Sequence, residues 1–102
     1  MGSDHQLVTI PPARRAIKKL SKPIRKHILD TIQVLVSNPH HGKQLDGQWR
    51  FLRSCHTVYR RTHYRVVYEV DEKAKQVILR YADTRENFYK ELRHMKLKPL
   101  VQ

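Results

Sequence analysis

The sequence has one cysteine, three glycines, nine acidic residues and no long apolar run. The lone Cys55 excludes an internal disulfide framework and a zinc site built from cysteines alone. Three glycines leave no glycine-rich loop of the kind that cradles phosphates. Seven histidines are present, but His40-His41 is a loop pair with no matching carboxylate pattern, and the others lack ligand spacing. No metal and no cofactor are therefore expected. Paired carboxylates suited to glycoside hydrolysis do not stand out. No apolar stretch approaches the ~18 residues of a membrane-spanning helix. Residues 1–6 are short and polar, and are expected to be a start peptide or tag without order rather than a secretory leader. A cytoplasmic protein is the simplest expectation.

The scarcity of acid is the strongest of these signals. Lys and Arg number 21, giving a formal charge of +12 over 102 residues. Such an imbalance points to an anionic partner. Eight aromatics and many Ile, Leu and Val argue for a folded chain. One domain is expected over residues 7–95, followed by a basic tail over 96–102 that is either loose or paired with something. A chain of this size buries only about 60–65% of its unfolded surface, so its core is thin.

Leu7-Val8-Thr9-Ile10 is β-prone and is stopped by Pro11-Pro12. Ala13, Ala16, Ile17 and Leu20 share one helical face. Ser21-Lys22-Pro23 breaks that pattern and restarts it. Ile24, Ile28, Ile32, Leu35 and Val36 then predict a second helix, ended by Asn38-Pro39. His40 to Gly47 reads as a loop, and Trp49, Phe51 and Leu52 as the start of a strand. Tyr64, Val66, Tyr68 and Val70 alternate with Arg65, Val67 and Glu69, a strand signal, and Val77–Tyr81 pairs back as a hairpin. Phe88, Leu92 and Met95 predict a helix over Arg85–Met95, capped by Asp83 or Thr84. The expected fold is α+β in two layers. A strand and a helical hairpin pack on a mainly antiparallel sheet, with a short C-terminal helix and one sheet face partly open.

The charge falls into two blocks. Residues 13–27 hold seven cations and no acid: Arg14, Arg15, Lys18, Lys19, Lys22, Arg25 and Lys26. This block is either a solvated helix face or a surface for an anion. Residues 48–68 hold five arginines and no acid: Arg50, Arg53, Arg60, Arg61 and Arg65, interleaved with Trp49, His56, Tyr59, His63 and Tyr64. Arginine grips phosphate through a planar fork and stacks on bases, which suits single-stranded RNA. Arg65 sits inside an apolar strand on the face away from the expected core; an ion pair with Glu69 or Asp83 is the structural alternative.

RNA carries its own nucleophile, the 2′-hydroxyl, so metal-free cleavage needs only a proton acceptor, a proton donor and charge stabilisation. Arg65, Arg85 and Tyr89 are the candidate set. Arg85 and Tyr89 are four apart on the last helix and can face the same way. The alternative for Tyr89 is a core position beside Phe88. Cys55 and His56 are strand neighbours and point to opposite faces, which argues against a cysteine nucleophile.

Leu45-Asp46-Gly47, the strand His63-Tyr64-Arg65-Val66-Val67-Tyr68-Glu69-Val70 and the ending Thr84-Arg85-Glu86-Asn87-Phe88-Tyr89 resemble the RelE/ParE toxin superfamily over residues 7–95. The resemblance implies a toxin of a type II toxin–antitoxin pair in a bacterium or archaeon. It implies a RelE-like endoribonuclease that cuts mRNA on the ribosome and is masked by an acidic antitoxin, meeting DNA only through that complex. In that reading Arg65 contacts the scissile phosphate, Arg85 stabilises the transition state and Tyr89 lies near the attacking hydroxyl. Arg50, Arg53, Arg60 and Arg61, with Lys18, Lys19, Lys22, Arg25 and Lys26, bind RNA. The chain departs from the pattern in three ways. Cys55–Thr62 is longer than the usual link, the Arg85–Tyr89 gap is short, and arginine stands at Arg50 and Arg53 where relatives often carry lysine. Arginine hardly deprotonates and is a poor general base. A ParE-like gyrase inhibitor and a non-catalytic RNA-binding relative are the alternative functions on the same fold.

Overall fold

The alternation that marks Tyr64–Val70 as a strand also decides which face is covered. In the computed structural model, which describes residues 5–101, Tyr64, Val66 and Tyr68 are buried on one face of the sheet, with Val77, Leu79 and Ala82 beside them. Two helices cover that face, α1 (Pro11–Lys18) and α2 (Lys22–Ser37). Ala13 and Ile17 of α1 and Ile28, Ile32, Leu35 and Val36 of α2 complete this core. Pro12 and Pro23 stand in the first helical turns, where a missing N–H costs nothing. Asn38 ends α2, with Pro39 following.

The sheet has five strands: β1 (Gln6–Thr9), β2 (Lys43–Gln44), β3 (Arg53–Tyr59), β4 (Thr62–Asp71) and β5 (Gln76–Thr84). Their spatial order is β1-β5-β4-β3-β2, antiparallel except for the β1–β5 pair. The α+β, two-layer expectation holds. Three local expectations do not. Trp49 closes a short 3₁₀ turn, Gly47–Trp49, instead of opening a strand, and the strand begins at Arg53. Gly47 takes a positive φ of 63°, and the chain folds back so that Leu45 donates to the Leu52 carbonyl. Within the expected loop, Lys43-Gln44 pairs with β3 as a short edge strand. The strand at the start of the chain includes Gln6, and the His5 N–H donates to the Val36 carbonyl. That part of the expected start peptide is therefore folded, while residues 1–4 lie outside the described residues.

The second face carries its own small core of Leu52, Val67, Phe88 and Leu92, with Trp49, Phe51, Tyr81 and Leu97 around it. The helix α3 (Arg85–Leu92) lies there; it ends three residues before Met95, and the Thr84 hydroxyl caps it by accepting from the Asn87 N–H at 3.2 Å. A bulge makes this possible. Val67 pairs with Tyr81 but Tyr68 pairs with Leu79, so Arg80 is an extra residue in β5. The insertion switches parity along the strand. Val77 and Leu79 face the helical hairpin, then Ala82 does, and Tyr81 turns to the other side.

Of the two expectations for the tail, pairing is the one seen over residues 97–101. Leu97 packs on the second core, and the Leu100 and Val101 N–H groups donate to Glu69 Oε2 at 2.9 and 2.8 Å. A chain whose cores are thin gains from pinning this segment to a buried carboxylate. The turn before β2 is fixed through Tyr68, whose hydroxyl donates to the Pro39 carbonyl (2.6 Å) and accepts from the Gly42 N–H (2.9 Å).

Candidate active site

The residues of β4 that do not face the helical hairpin are His63, Arg65, Val67 and Glu69. Val67 and Glu69 are buried on the second face; His63 and Arg65 lie beyond the reach of the α3 core. Register places His56 of β3 on one side of Arg65 and Asp83 of β5 on the other. Neither of the alternative ion pairs forms among the described residues. Glu69 pairs with Arg80, and Asp83 accepts from the Tyr81 hydroxyl at 2.6 Å. Burial and that hydrogen bond push the Tyr81 phenol well above its ordinary range, so it stays protonated.

Arg65 is held instead by neutral groups. Its Nη1 donates to the Ser54 hydroxyl at 3.1 Å, and its guanidinium carbon lies 5.5 Å from the centre of the Tyr89 ring. Its Nε is buried and finds no partner among the described residues. An unmatched buried donor is uncommon and marks a guanidinium that the fold itself does not fully satisfy. Tyr89 is 48% exposed while Phe88 beside it is 1% exposed, so Phe88 takes the core position and Tyr89 faces the cavity. Arg85 opens α3, where a cation opposes the helix dipole. Two open cavities, of about 680 and 410 Å³, meet at His63 and Arg85. Arg61, Thr84 and Tyr89 line the first; Ser54, His56 and Arg65 line the second.

The three residues singled out as catalytic thus come together. The sequence reading did not select His56 and His63, which sit between them with His56 Nε2 and His63 Nδ1 2.7 Å apart. The signal was the hairpin register. A two-residue turn at Arg60-Arg61 makes 56 and 63 diagonal neighbours on one face, but two arginines do not mark such a turn. Cys55 points to the opposite face, and burial raises its thiol, so it is no nucleophile.

The RNA-binding candidates divide. Arg60 and Arg61 form the hairpin tip. Arg53 donates to the Gly42 carbonyl at 2.7 Å and, with Arg50, borders a separate concavity with Glu69 and Glu72. These two arginines are not brought to the Arg65 site. Lys18, Lys19, Lys22, Arg25 and Lys26 belong to the helical hairpin and its connection; Lys19 borders a groove shared with Asp83, Thr84 and α3, and Lys26 pairs with Asp30 at 3.2 Å.

The turn carries a cost that points to use. Arg60 and Arg61 both take positive φ, 47° and 69°, in a connection that favours Asn-Gly. Left-handed backbone costs an ordinary residue about 1–2 kcal/mol. The variant R60N/R61G is therefore expected to be more stable by about 1–2 kcal/mol, read as a higher melting temperature; an unchanged or lower one would show that the turn is unstrained.

The fold is that of the RelE toxins. The toxin–antitoxin complex RelBE2 from Mycobacterium tuberculosis matches with a TM-score of 0.70 at 24% identity, covering 83% of this chain and 95% of that one. A doubly substituted Escherichia coli toxin RelE in the free state matches with 0.68 at 14%, covering 91% and 99%. The archaeal RelE–RelB complex from Pyrococcus horikoshii gives 0.59 at 20%, covering 81% and 97%. No curated protein matches the sequence significantly. The family model for the ParE-like toxin of type II bacterial toxin–antitoxin systems matches residues 7–93. The chain belongs to that family, within the RelE/ParE superfamily, and is a toxin of the type II class.

Proposed function

We propose that this toxin is a metal-independent endoribonuclease that cuts mRNA on the ribosome and so halts translation. The observation that carries the reading is the convergence of Arg65, Arg85 and Tyr89 on one open cavity system, where no carboxylate among the described residues neutralises Arg65. Two guanidiniums border the cavity, Arg65 held by Ser54 and Tyr89 and Arg85 exposed at the start of α3, and they suit the charge that develops on a phosphorane. Tyr89 can hold the nucleotide by its ring or its hydroxyl. Arg61 extends the track, while the cations of the helical hairpin offer a second surface for ribosomal RNA. A small domain with an open site gains its precision from a substrate already positioned by the ribosome.

The partner is an acidic antitoxin. The M. tuberculosis relative was solved as a toxin–antitoxin complex, and so was intact RelBE from E. coli, a further structural match. On this chain, Lys22, Arg25 and Lys26 surround a surface groove floored by Pro23 and Leu29, and Leu29 is 45% exposed. An apolar strip ringed by cations fits an acidic amphipathic segment. Contact with DNA would come only through that complex, in the cytoplasm of a bacterium or archaeon.

Gyrase inhibition is the second reading, favoured by the ParE-like family match. Controlled expression separates the two. Growth arrest with cuts inside translated reading frames, mapped by primer extension, is the expected result. Arrest with intact mRNA and gyrase-dependent DNA breaks would establish the second reading instead.

A further inference from the structure

We propose that His56 and His63 form a proton relay, taking the 2′-hydroxyl proton at one end and delivering a proton to the departing 5′-oxygen at the other. The proposal rests on the endoribonuclease reading and names the acid–base group that the arginines cannot supply.

The geometry is that of a pair joined through ring edges. His56 Nε2 and His63 Nδ1 are 2.7 Å apart, and the ring planes differ by 18°. A hydrogen bond between ring nitrogens needs one donor and one acceptor. When His56 Nε2–H donates to His63 Nδ1, the outer nitrogen of His56 (Nδ1) is a free acceptor and that of His63 (Nε2) carries a proton. In the opposite tautomer both roles reverse. A neutral pair thus always presents one base and one acid.

The surroundings favour this arrangement over an imidazolium. Arg65 of β4 and Arg85 of α3 border the pair's cavity, Lys43 enters from β2, and His41 from the turn before it. Arg61 lies on the side of His63, with Glu86 the one carboxylate lining that cavity and Tyr89 beside it. Desolvation, then His63, Arg65 and Arg85, lower the pKa of His56 from its ordinary 6.5, which disfavours an imidazolium there. A relay needs no lasting positive charge. The O2′–P bond forms as P–O5′ breaks. The O2′ proton passes to His56 Nδ1, the bridging proton shifts to His63 Nδ1, and the His63 Nε2 proton leaves with O5′. The products are a 2′,3′-cyclic phosphate and a 5′-hydroxyl, nothing is oxidised or reduced, and exchange with water resets the tautomers.

The test is single-turnover cleavage of mRNA on programmed ribosomes by wild type, His56→Gln, His63→Gln and the double variant. Glutamine keeps a hydrogen bond but moves no proton. Each single change is expected to slow cleavage by about 100-fold or more. The double variant is expected to be no slower than the slower single one, because the pair acts as a unit. In H₂O/D₂O mixtures the wild-type rate is expected to bow, as more than one proton moves. Both side chains are exposed, so melting temperatures are expected to stay level. Single variants that cut at the wild-type rate would overturn the relay alone, as would losses that multiply in the double variant or a linear wild-type isotope response. A wild type that cuts no RNA would overturn the endoribonuclease reading, and the relay with it.

Discussion

Arg65→Ala is expected to lower RNA cleavage by about 100- to 1000-fold, the range for removing a fixed donor from a transition state. The fold is expected to stand. Arg65 makes one hydrogen bond, to Ser54, and one ring contact, to Tyr89, and belongs to neither apolar core. Its buried Nε has no partner, and an unmatched buried donor costs about 1–3 kcal/mol. Alanine relieves that cost, so the melting temperature should hold or rise while activity collapses. Arg65→Lys should also fail, because an ammonium lacks the planar fork that meets two phosphate oxygens. Single-turnover rates beside thermal melts check both statements. A near-wild-type rate, or a variant that loses activity only because it unfolds, would remove Arg65 from the reaction.

The same residue shows what could be read from the sequence. Period-two alternation over Tyr64–Val70 gave the strand, its buried face and the outward place of Arg65 together, because a pleated strand permits only two faces. Helical spacing gave α1 and α2 for the same kind of reason. Legibility ended where a single residue changed the register. Arg80 is inserted in β5, and nothing in Val77-Ile78-Leu79-Arg80-Tyr81 announces a bulge, yet it decides that Tyr81 and Arg80 share the second face. The Arg60-Arg61 turn hid the His56–His63 pairing because its residues are poor left-handed formers. Trp49 and Phe51 satisfied the pattern of a strand, but Gly47 folds that segment into a turn that pads the second core. In each case a long-range contact, invisible in a local window, outweighs local preference.

Arg80→Met is expected to destabilise the protein by about 3–5 kcal/mol, the cost of stranding one partner of a buried ion pair. Arg80 and Glu69 are 5% and 2% exposed and bond directly through Arg80 Nη1 and Glu69 Oε1. Phe51 covers the guanidinium at 5.9 Å, and the free oxygen of Glu69 takes the two N–H groups of the tail. Methionine fills the space but leaves the carboxylate with two neutral donors in an apolar layer. For a domain of this size the loss amounts to a melting temperature lower by at least roughly 12 °C. The double variant E69L/R80M removes both charges and should regain most of that loss. It also frees the tail, so trypsin should cut after Lys96 faster than in wild type. Below its melting temperature Arg80→Met should still cleave RNA at the wild-type rate, since Arg65, Arg85, Tyr89 and the histidine pair keep their contacts. A single variant that melts with wild type would mean that water reaches Glu69 and the ion pair does not hold the second layer. A stable variant with slow cleavage would instead tie the bulge to the position of Arg65, four residues along the same strand face from Glu69.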